Sequence, residues 1–268
     1  MHIMKRFALA ASAAALALTM EAAAMNTANA QEKLKLVIGS EGAYPPFNTL
    51  SPDGKLEGFD IDIAKALCDQ MKAECTFVTQ DWDGAIPALQ AGKFDAFISS
   101  MQITPAREKQ VDFTNKYADT PPAMIAPKDT TIKGVTKEDL AGKTIGVQGS
   151  TSHEIYSETT YTDSTVKSYP TEEDYELDLV DGRLDAAVDD IVALQQFLKT
   201  PEGECCKLVG TITPVEAIHG PGEGIAIKKG RPELVAKFND AIKAIRANGE
   251  YKKINDKYFD FDAYGAGN

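Results

Sequence analysis

"LQAGKFDAFISS", residues 89–100, decides the fold, because "LVDGRLDAAVDD", residues 179–190, repeats its pattern without a gap. Each stretch reads as the end of a helix, a glycine–basic turn and a strand that begins apolar–Asp–Ala. Each closes on two polar residues at the strand's C-terminal edge. A single βα unit of any α/β protein can look like this. The pair gains weight from Ser99–Ser100 and Asp189–Asp190, since open α/β sheets place their ligands outside the C-terminal ends of strands. Two similar lobes, each offering polar strand ends, imply a cleft between them.

Working outward, the alternation continues. "LKLVIG" (34–39), "CTFVT" (75–79), "FDAFIS" and "KTIGV" (143–147) read as strands. "DIDIAKALCDQM" (60–71) reads as an amphipathic helix with Asp60 as its N-cap. "WDGAIPALQAG", "STSHEIYSE", "EEDYELDLVDG" and "DIVALQQFLK" supply further helices, and the tail from Arg231 is mostly helical. Strands alternating with helices predict an α/β fold with mainly parallel sheets flanked by helices. Pro- and Gly-rich breaks at "YADTPPAM" (117–124) and "TPVEAIHGPGEG" (213–224) are the expected crossings between lobes. They divide the chain into a discontinuous first lobe, 31–119 with 219–268, and a second lobe, 120–218. Two hinge strands favour closure over independent wobbling.

Residues 1–30 stand apart from this pattern. Lys5 and Arg6 precede the apolar run "FALAASAAALALTM", and "ANA" ends the stretch before Gln31. A charged start, a short apolar core and small residues at the end read as a secretory signal peptide. The run is short of the roughly 20 residues a membrane span needs. Export to a periplasm follows as an expectation. Beyond the leader, 26 basic side chains face 39 acidic ones. Such a surface repels phosphate backbones and anionic membranes, which argues against a nucleic-acid partner. Cys68 and Cys75 lie seven apart, and in an oxidising compartment a disulfide between them is favoured. Cys205 and Cys206 are adjacent, and free thiols or pairing with another chain are equally open.

No catalytic constellation is found. "HEIYS" lacks the second histidine of a zinc-protease motif, there is no "GxSxG" elbow, and "GPGEG" does not join a strand to a helix. No metal is expected, because no His or further Cys stands at ligand spacing. His153 and His219 read as surface or packing residues. Arg107, in "SSMQITPAREK", has two readings: an ion pair with Glu108 or Asp112, or a clamp for a visiting anion. The second reading has companions. Ser150, Thr151 and Ser152 open a helix whose N-terminus suits a carboxylate, although ordinary capping needs only one hydroxyl. Asp190 is placed to accept from an ammonium, or else to cap the helix that follows it. Glu41 lies at the edge of the first strand. Tyr44 and Trp82 either pack in the core or flank an aliphatic or guanidinium stem.

"GAYPPF", "GFDIDIAKALC", "WDGAIPALQAGKFDAFISSMQITPARE", "IGVQGST", "GRLDAAVDD" and "GEYKKINDKYFDFDAYG" together resemble the periplasmic polar-amino-acid-binding proteins of ABC importers. Nearest is the lysine/arginine/ornithine- and histidine-binding group, over residues 34–265. The resemblance implies a two-lobed periplasmic-binding-protein fold of type II, a monomer without cofactor that closes on one amino acid and hands it to an inner-membrane permease. It further implies that Arg107, with Thr151 and Ser100, holds the ligand carboxylate. Asp190 and the Ser99 carbonyl would take the α-ammonium, Tyr44 and Trp82 would flank the side chain, and Glu41 would meet a distal cation. Cys68 and Cys75 match the group's disulfide. Gln102 and Ser152 depart from a serine and a glutamine common in the group. Charge then ranks the guests. Glu41 and Asp190 against Arg107 leave one excess negative charge, which arginine, lysine or ornithine cancels, with histidine behind them. An opine receptor, a dehydratase on the same scaffold and a sensor module are the rivals.

Overall fold

The computed structural model describes residues 33–265, so the expected leader, 1–30, lies outside the described residues. Its strands are β1 (Lys35–Ser40), β2 (Ala43–Tyr44), β3 (Asn48–Leu50), β4 (Leu56–Glu57), β5 (Glu74–Thr79), β6 (Ala96–Phe97) and β7 (Asp112–Ala118). Then come β8 (Pro122–Pro127), β9 (Thr144–Gln148), β10 (Thr165–Tyr169), β11 (Ala186–Asp190), β12 (Cys206–Thr211) and β13 (Glu223–Ile227). The helices are α1 (Phe59–Gln70), α2 (Ala85–Gln90), α3 (Pro105–Glu108), α4 (Ser152–Thr160) and α5 (Glu172–Val180). They continue as α6 (Ile191–Phe197), α7 (Glu216–His219), α8 (Pro232–Ala247) and α9 (Glu250–Tyr258). No described helix is long and apolar enough to cross a membrane.

Two five-stranded sheets organise these elements, in the orders β5-β1-β6-β13-β7 and β10-β9-β11-β8-β12. A small sheet, β2-β3-β4, stands beside them. The sequence echo becomes a geometric one. Gly92 (φ 75°) and Gly182 (φ 72°) end their helices in the left-handed region, where a glycine pays no steric penalty. Asp95 accepts from Val37 N–H at 2.8 Å, and Asp185 accepts from Thr144 N–H at 2.8 Å. β6 pairs parallel to β1 with Ile38 opposite Ala96, as β11 pairs parallel to β9 with Ile145 opposite Ala186. In each copy a glycine on the neighbouring strand makes room for the apolar residue before the aspartate. A Cβ on Gly39 would meet the Phe94 ring at 3.0 Å, and one on Gly146 would meet Leu184 at 2.3 Å.

Both faces of the second sheet are covered at its centre, so β8, β9 and β11 are buried along nearly their whole length. Met124, Ala126, Ile145, Val147, Ala186 and Val188 pack on one side with Leu140 and Tyr161. Ala123, Ile125 and Ala187 pack on the other with Tyr175, Leu179, Leu194 and Phe197. The odd–even split is the strand period. The chain passes from the first sheet to the second at residues 119–121 and returns before Glu223. β13, from the returning segment, inserts between β6 and β7.

Three expectations change. The sheets are mixed rather than mainly parallel, because β8 and β13, the strands that enter after each crossing, pair antiparallel with their neighbours. Asp60 does not cap α1; Gly58 holds that position, and Asp60 is buried within the first turn. There it accepts from Tyr117 Oη at 2.7 Å, Asn48 Nδ2 at 2.9 Å and Ser100 Oγ at 3.2 Å. Burial still raises its carboxyl to about 6. Cys68 and Cys75 are bonded as expected, with Cα atoms 6.3 Å apart. Cys205 and Cys206, left open between free thiols and another chain, are bonded to each other. The bend from a 3₁₀ turn at Glu202–Cys205 into β12 brings the neighbouring sulfurs together.

Candidate ligand-binding cleft

Where the C-terminal edges of the two sheets meet, one cavity is lined by both. Glu41, Tyr44, Trp82, Ser99, Ser100 and Gln102 come from the first side, and Gln148, Thr151, His153, Asp189 and Asp190 from the second. The enclosed space is about 20 Å³, room for about one water. The sides touch directly. Tyr44 Oη donates to Asp189 at 2.5 Å and to Asp190 at 3.1 Å, and Gln148 Nε2 donates to Glu41 at 2.6 Å. Trp82 Nε1 and Arg107 Nη2 both donate to the Ser150 carbonyl, at 3.3 and 3.1 Å.

Arg107 is buried, and the described carboxylates leave it alone. Asp112 pairs with Lys229 instead, at 3.2 Å. The guanidinium donates to the Gln102 carbonyl at 3.0 Å and stacks 5.1 Å from the Trp82 ring centroid. Burial lowers its pKa to about 10, which leaves it cationic at neutral pH. A short helix, α3, presents it, with Thr104 capping that helix by accepting from Arg107 N–H at 3.3 Å. Arg107 is not itself among the residues lining the cavity; it reaches the cleft beside Trp82.

Glu41 is only 8% exposed although it follows β1 directly. Its N–H donates to Ser99 Oγ at 3.2 Å. Burial pushes its carboxyl up to about 7, against the lowering effect of Gln148's hydrogen bond. Asp190 is the N-cap residue of α6, but its side chain makes no cap bond, so both oxygens face the cleft groups. Gln102 Nε2 lies 3.5 Å from each of those oxygens. Burial raises the Asp190 carboxyl, and its hydrogen bond to His153 opposes that shift.

The three hydroxyls that open α4 part company. Thr151 Oγ1 caps the helix, accepting from Glu154 N–H at 3.1 Å, and donates to the Gln148 carbonyl at 2.7 Å. Ser150 is exposed, and its carbonyl rather than its hydroxyl takes part. Ser152 is buried with no partner for its hydroxyl. Ser100 and Ser150 are held at φ 48° and 58°. Left-handed non-glycine residues of this kind are strained, and strain of this kind clusters at functional sites. Trp82 answers both of its readings, since it packs on Phe97 and Met101 and also borders the cavity. Tyr44 stacks on Phe47 with centroids 5.4 Å apart while its hydroxyl reaches across.

Three residues of the cleft were not singled out as ligand contacts. Gln148 and Asp189 sit at C-terminal strand edges, the same signal that found Glu41 and Asp190. His153, read as a surface or packing residue, is corrected: it is 3% exposed, with Nε2 3.4 Å from Asp189 and 3.5 Å from Asp190. The hydroxyls of Ser150–Ser152 point to anion binding or capping at this helix start, and neither reading involves His153. His219 is buried against Tyr156 and His153, as packing predicts. His153, Asp189 and Asp190 each offer one donor atom within 4.8 Å of the others. Both aspartates already accept from Tyr44. His153 Nδ1 has no partner of the kind that steadies a metal-bound imidazole, so the trio reads as a hydrogen-bonded cluster.

A family model, bacterial extracellular solute-binding proteins, family 3, matches residues 36–261. The chain belongs to that family. Among its relatives, the L-arginine-binding protein of Pseudomonas aeruginosa is 49% identical over 232 residues, covering 85% of this chain and 89% of that one. The lysine/arginine/ornithine-binding periplasmic protein of Escherichia coli is 37% identical over 231 residues, covering 85% and 88%. The solved structure of an ancestral arginine-binding protein bound to arginine is 36% identical, with a TM-score of 0.77, covering 84% and 98%. The family-3 chain has their two-lobed type II fold, and its named relatives are amino-acid-binding proteins.

Proposed function

We propose that this family-3 receptor binds a cationic amino acid in the periplasm, arginine, lysine or ornithine before histidine, and delivers it to an ABC permease. The observation that carries the reading is Glu41, a carboxyl held in the cleft at the end of β1 with its pKa pushed up to about 7 by burial. An ionised carboxylate left unpaired in a dry cleft is costly enough to take up a proton instead, and a guest's distal cation lets it ionise. A zwitterion answers Arg107 and Asp190 but leaves Glu41 alone. A dicarboxylic guest, including the acids a dehydratase would handle, adds an anion among acids and is disfavoured. An opine's extra carboxylate meets the same objection at Asp190.

In this reading Arg107, with Thr151 and Ser100, holds the α-carboxylate and Asp190 the α-ammonium, while Tyr44 and Trp82 flank the stem. The small enclosed space means that the lobes must part for entry and re-form around the guest. The hinges are the crossings, which divide the chain into 31–119 with 219–268 and 120–218, in a monomer. Hinge closure is the motion general to periplasmic binding proteins. Titration calorimetry with the twenty amino acids, on protein unfolded and dialysed to remove carried-over guest, tests the reading. Basic amino acids should bind and leucine should not; equal affinity for leucine and arginine rejects it. Arg107→Ala should lose every amino acid by about 2–5 kcal/mol, the usual effect of leaving a buried charge unpaired.

A further inference from the structure

The cleft holds one more acid than the proposed reading counts. Asp189 is buried beside Asp190, and each of its hydrogen-bond partners is a donor. Tyr44 Oη reaches it at 2.5 Å, Tyr175 Oη at 2.7 Å and the Asp190 N–H at 2.7 Å, with His153 Nε2 at 3.4 Å. A side chain that only accepts has the pattern of an ionised carboxylate. Glu41, Asp189 and Asp190 against Arg107 alone would leave two excess negative charges. A guest with two cations and one anion cancels only one.

His153 lies where the missing charge belongs. Its imidazole faces both aspartates from the first turn of α4. Burial and the charge of Arg107 work against its proton. The aspartates outweigh them and raise its pKa. Of the other shielded acids nearby, Asp60 lies behind Ser100 with its oxygens taken by Tyr117, Asn48 and Ser100 and does not line the cavity, and the rest do not enter the sum. Burial and the charge of Asp189 hold Glu172 well above the ordinary carboxylate range and Glu176 at about 8. Burial and the charge of Asp190 do the same for Glu223.

Resting on the reading above, we infer that His153 is a specificity-determining residue: as an imidazolium paired with Asp189 it sets the cleft at one excess negative charge, and so fixes the net charge of the guest. It acts through Asp189 and Asp190 rather than by touching the guest's side chain. The pair is a module, and removing either half shifts the balance in a known direction. Without Asp189 the cleft is neutral and favours a guest with no net charge. Without both, the balance returns.

The test compares arginine with citrulline, which replaces the guanidinium by a neutral urea of the same shape, by titration calorimetry on the full chain. The readout is the ratio of the two affinities, from which structural losses common to both guests cancel. Asp189→Asn should lower the arginine preference about tenfold or more, and adding His153→Gln should restore it to within about threefold of the wild type. His153→Gln alone should leave the preference unchanged or higher. A merely structural histidine would make the double variant no better than Asp189→Asn. The inference is overturned if Asp189→Asn keeps the wild-type ratio, if the double variant keeps the lowered ratio, or if His153→Gln lowers it. Should the wild type bind no basic amino acid, the proposed function fails and this inference with it. A normal wild-type preference with unresponsive variants removes this inference alone.

Discussion

A carboxyl group at the end of a parallel strand, shielded from water, holds its proton more tightly than one in water, and a nearby cation loosens it. Glu41 is in that state, and its pKa of about 7 in the closed cleft gives the affinity a pH dependence with a definite sign. A guanidinium beside it favours the ionised form, so the complex holds Glu41 at a lower pKa than the closed, guest-free cleft does. Binding therefore releases a proton, and affinity for arginine should fall as pH drops from 8 towards 5, by at most about tenfold per unit. Citrulline should show no such slope. Calorimetry in buffers of differing ionisation enthalpy would count the proton; none released at pH 6.5 would refute the assignment. Glu41→Gln should abolish the slope and weaken arginine about tenfold or more while sparing citrulline. Equal loss for both guests would mean that the side chain meets something other than the distal cation.

At the scale of elements, the device that recurs is an aspartate that ties a strand to its neighbour, preceded by an apolar side chain that needs a glycine opposite. Both copies were readable as "apolar–Asp–Ala", and so were the polar pairs that close them. The glycines opposite, Gly39 and Gly146, were not, because a close approach depends on which strand becomes the neighbour. The mixed character of the sheets escaped for a related reason. β13 reads like any other strand, and only the return of the chain makes it enter between β6 and β7 from the opposite direction. Glu41 and Asp190 were legible from position along a strand; His153 was not, since its role depends on Asp189 arriving from a different element. The return also has a tight point. Gly220 sits at φ 70°, and a Cβ there would meet the Ile103 carbonyl oxygen at 1.8 Å. Gly220→Ala should cost about 2–3 kcal/mol in urea unfolding, from strain and displaced backbone together. A loss under about 0.5 kcal/mol would show that the segment relaxes freely.

For the whole molecule, the proposed reading makes closure and selection one event. The same side chains that would meet the guest hold the two sheets together across the cleft: Tyr44 to the aspartates, Gln148 to Glu41, and Trp82 and Arg107 to the Ser150 carbonyl. A guest has to replace part of this latch with contacts at least as good, so a poor fit leaves the lobes no better joined than before. The latch also contains the single tryptophan of the sequence. Its indole N–H bridges the lobes while a guanidinium lies on its ring. The protein thus carries a built-in optical gauge, needing no dye or label. Saturating arginine should shift Trp82 emission in dilute solution, and an unchanged spectrum on confirmed binding would mean that the lobes do not move. Such intrinsic light would make the chain a ready nutrient sensor.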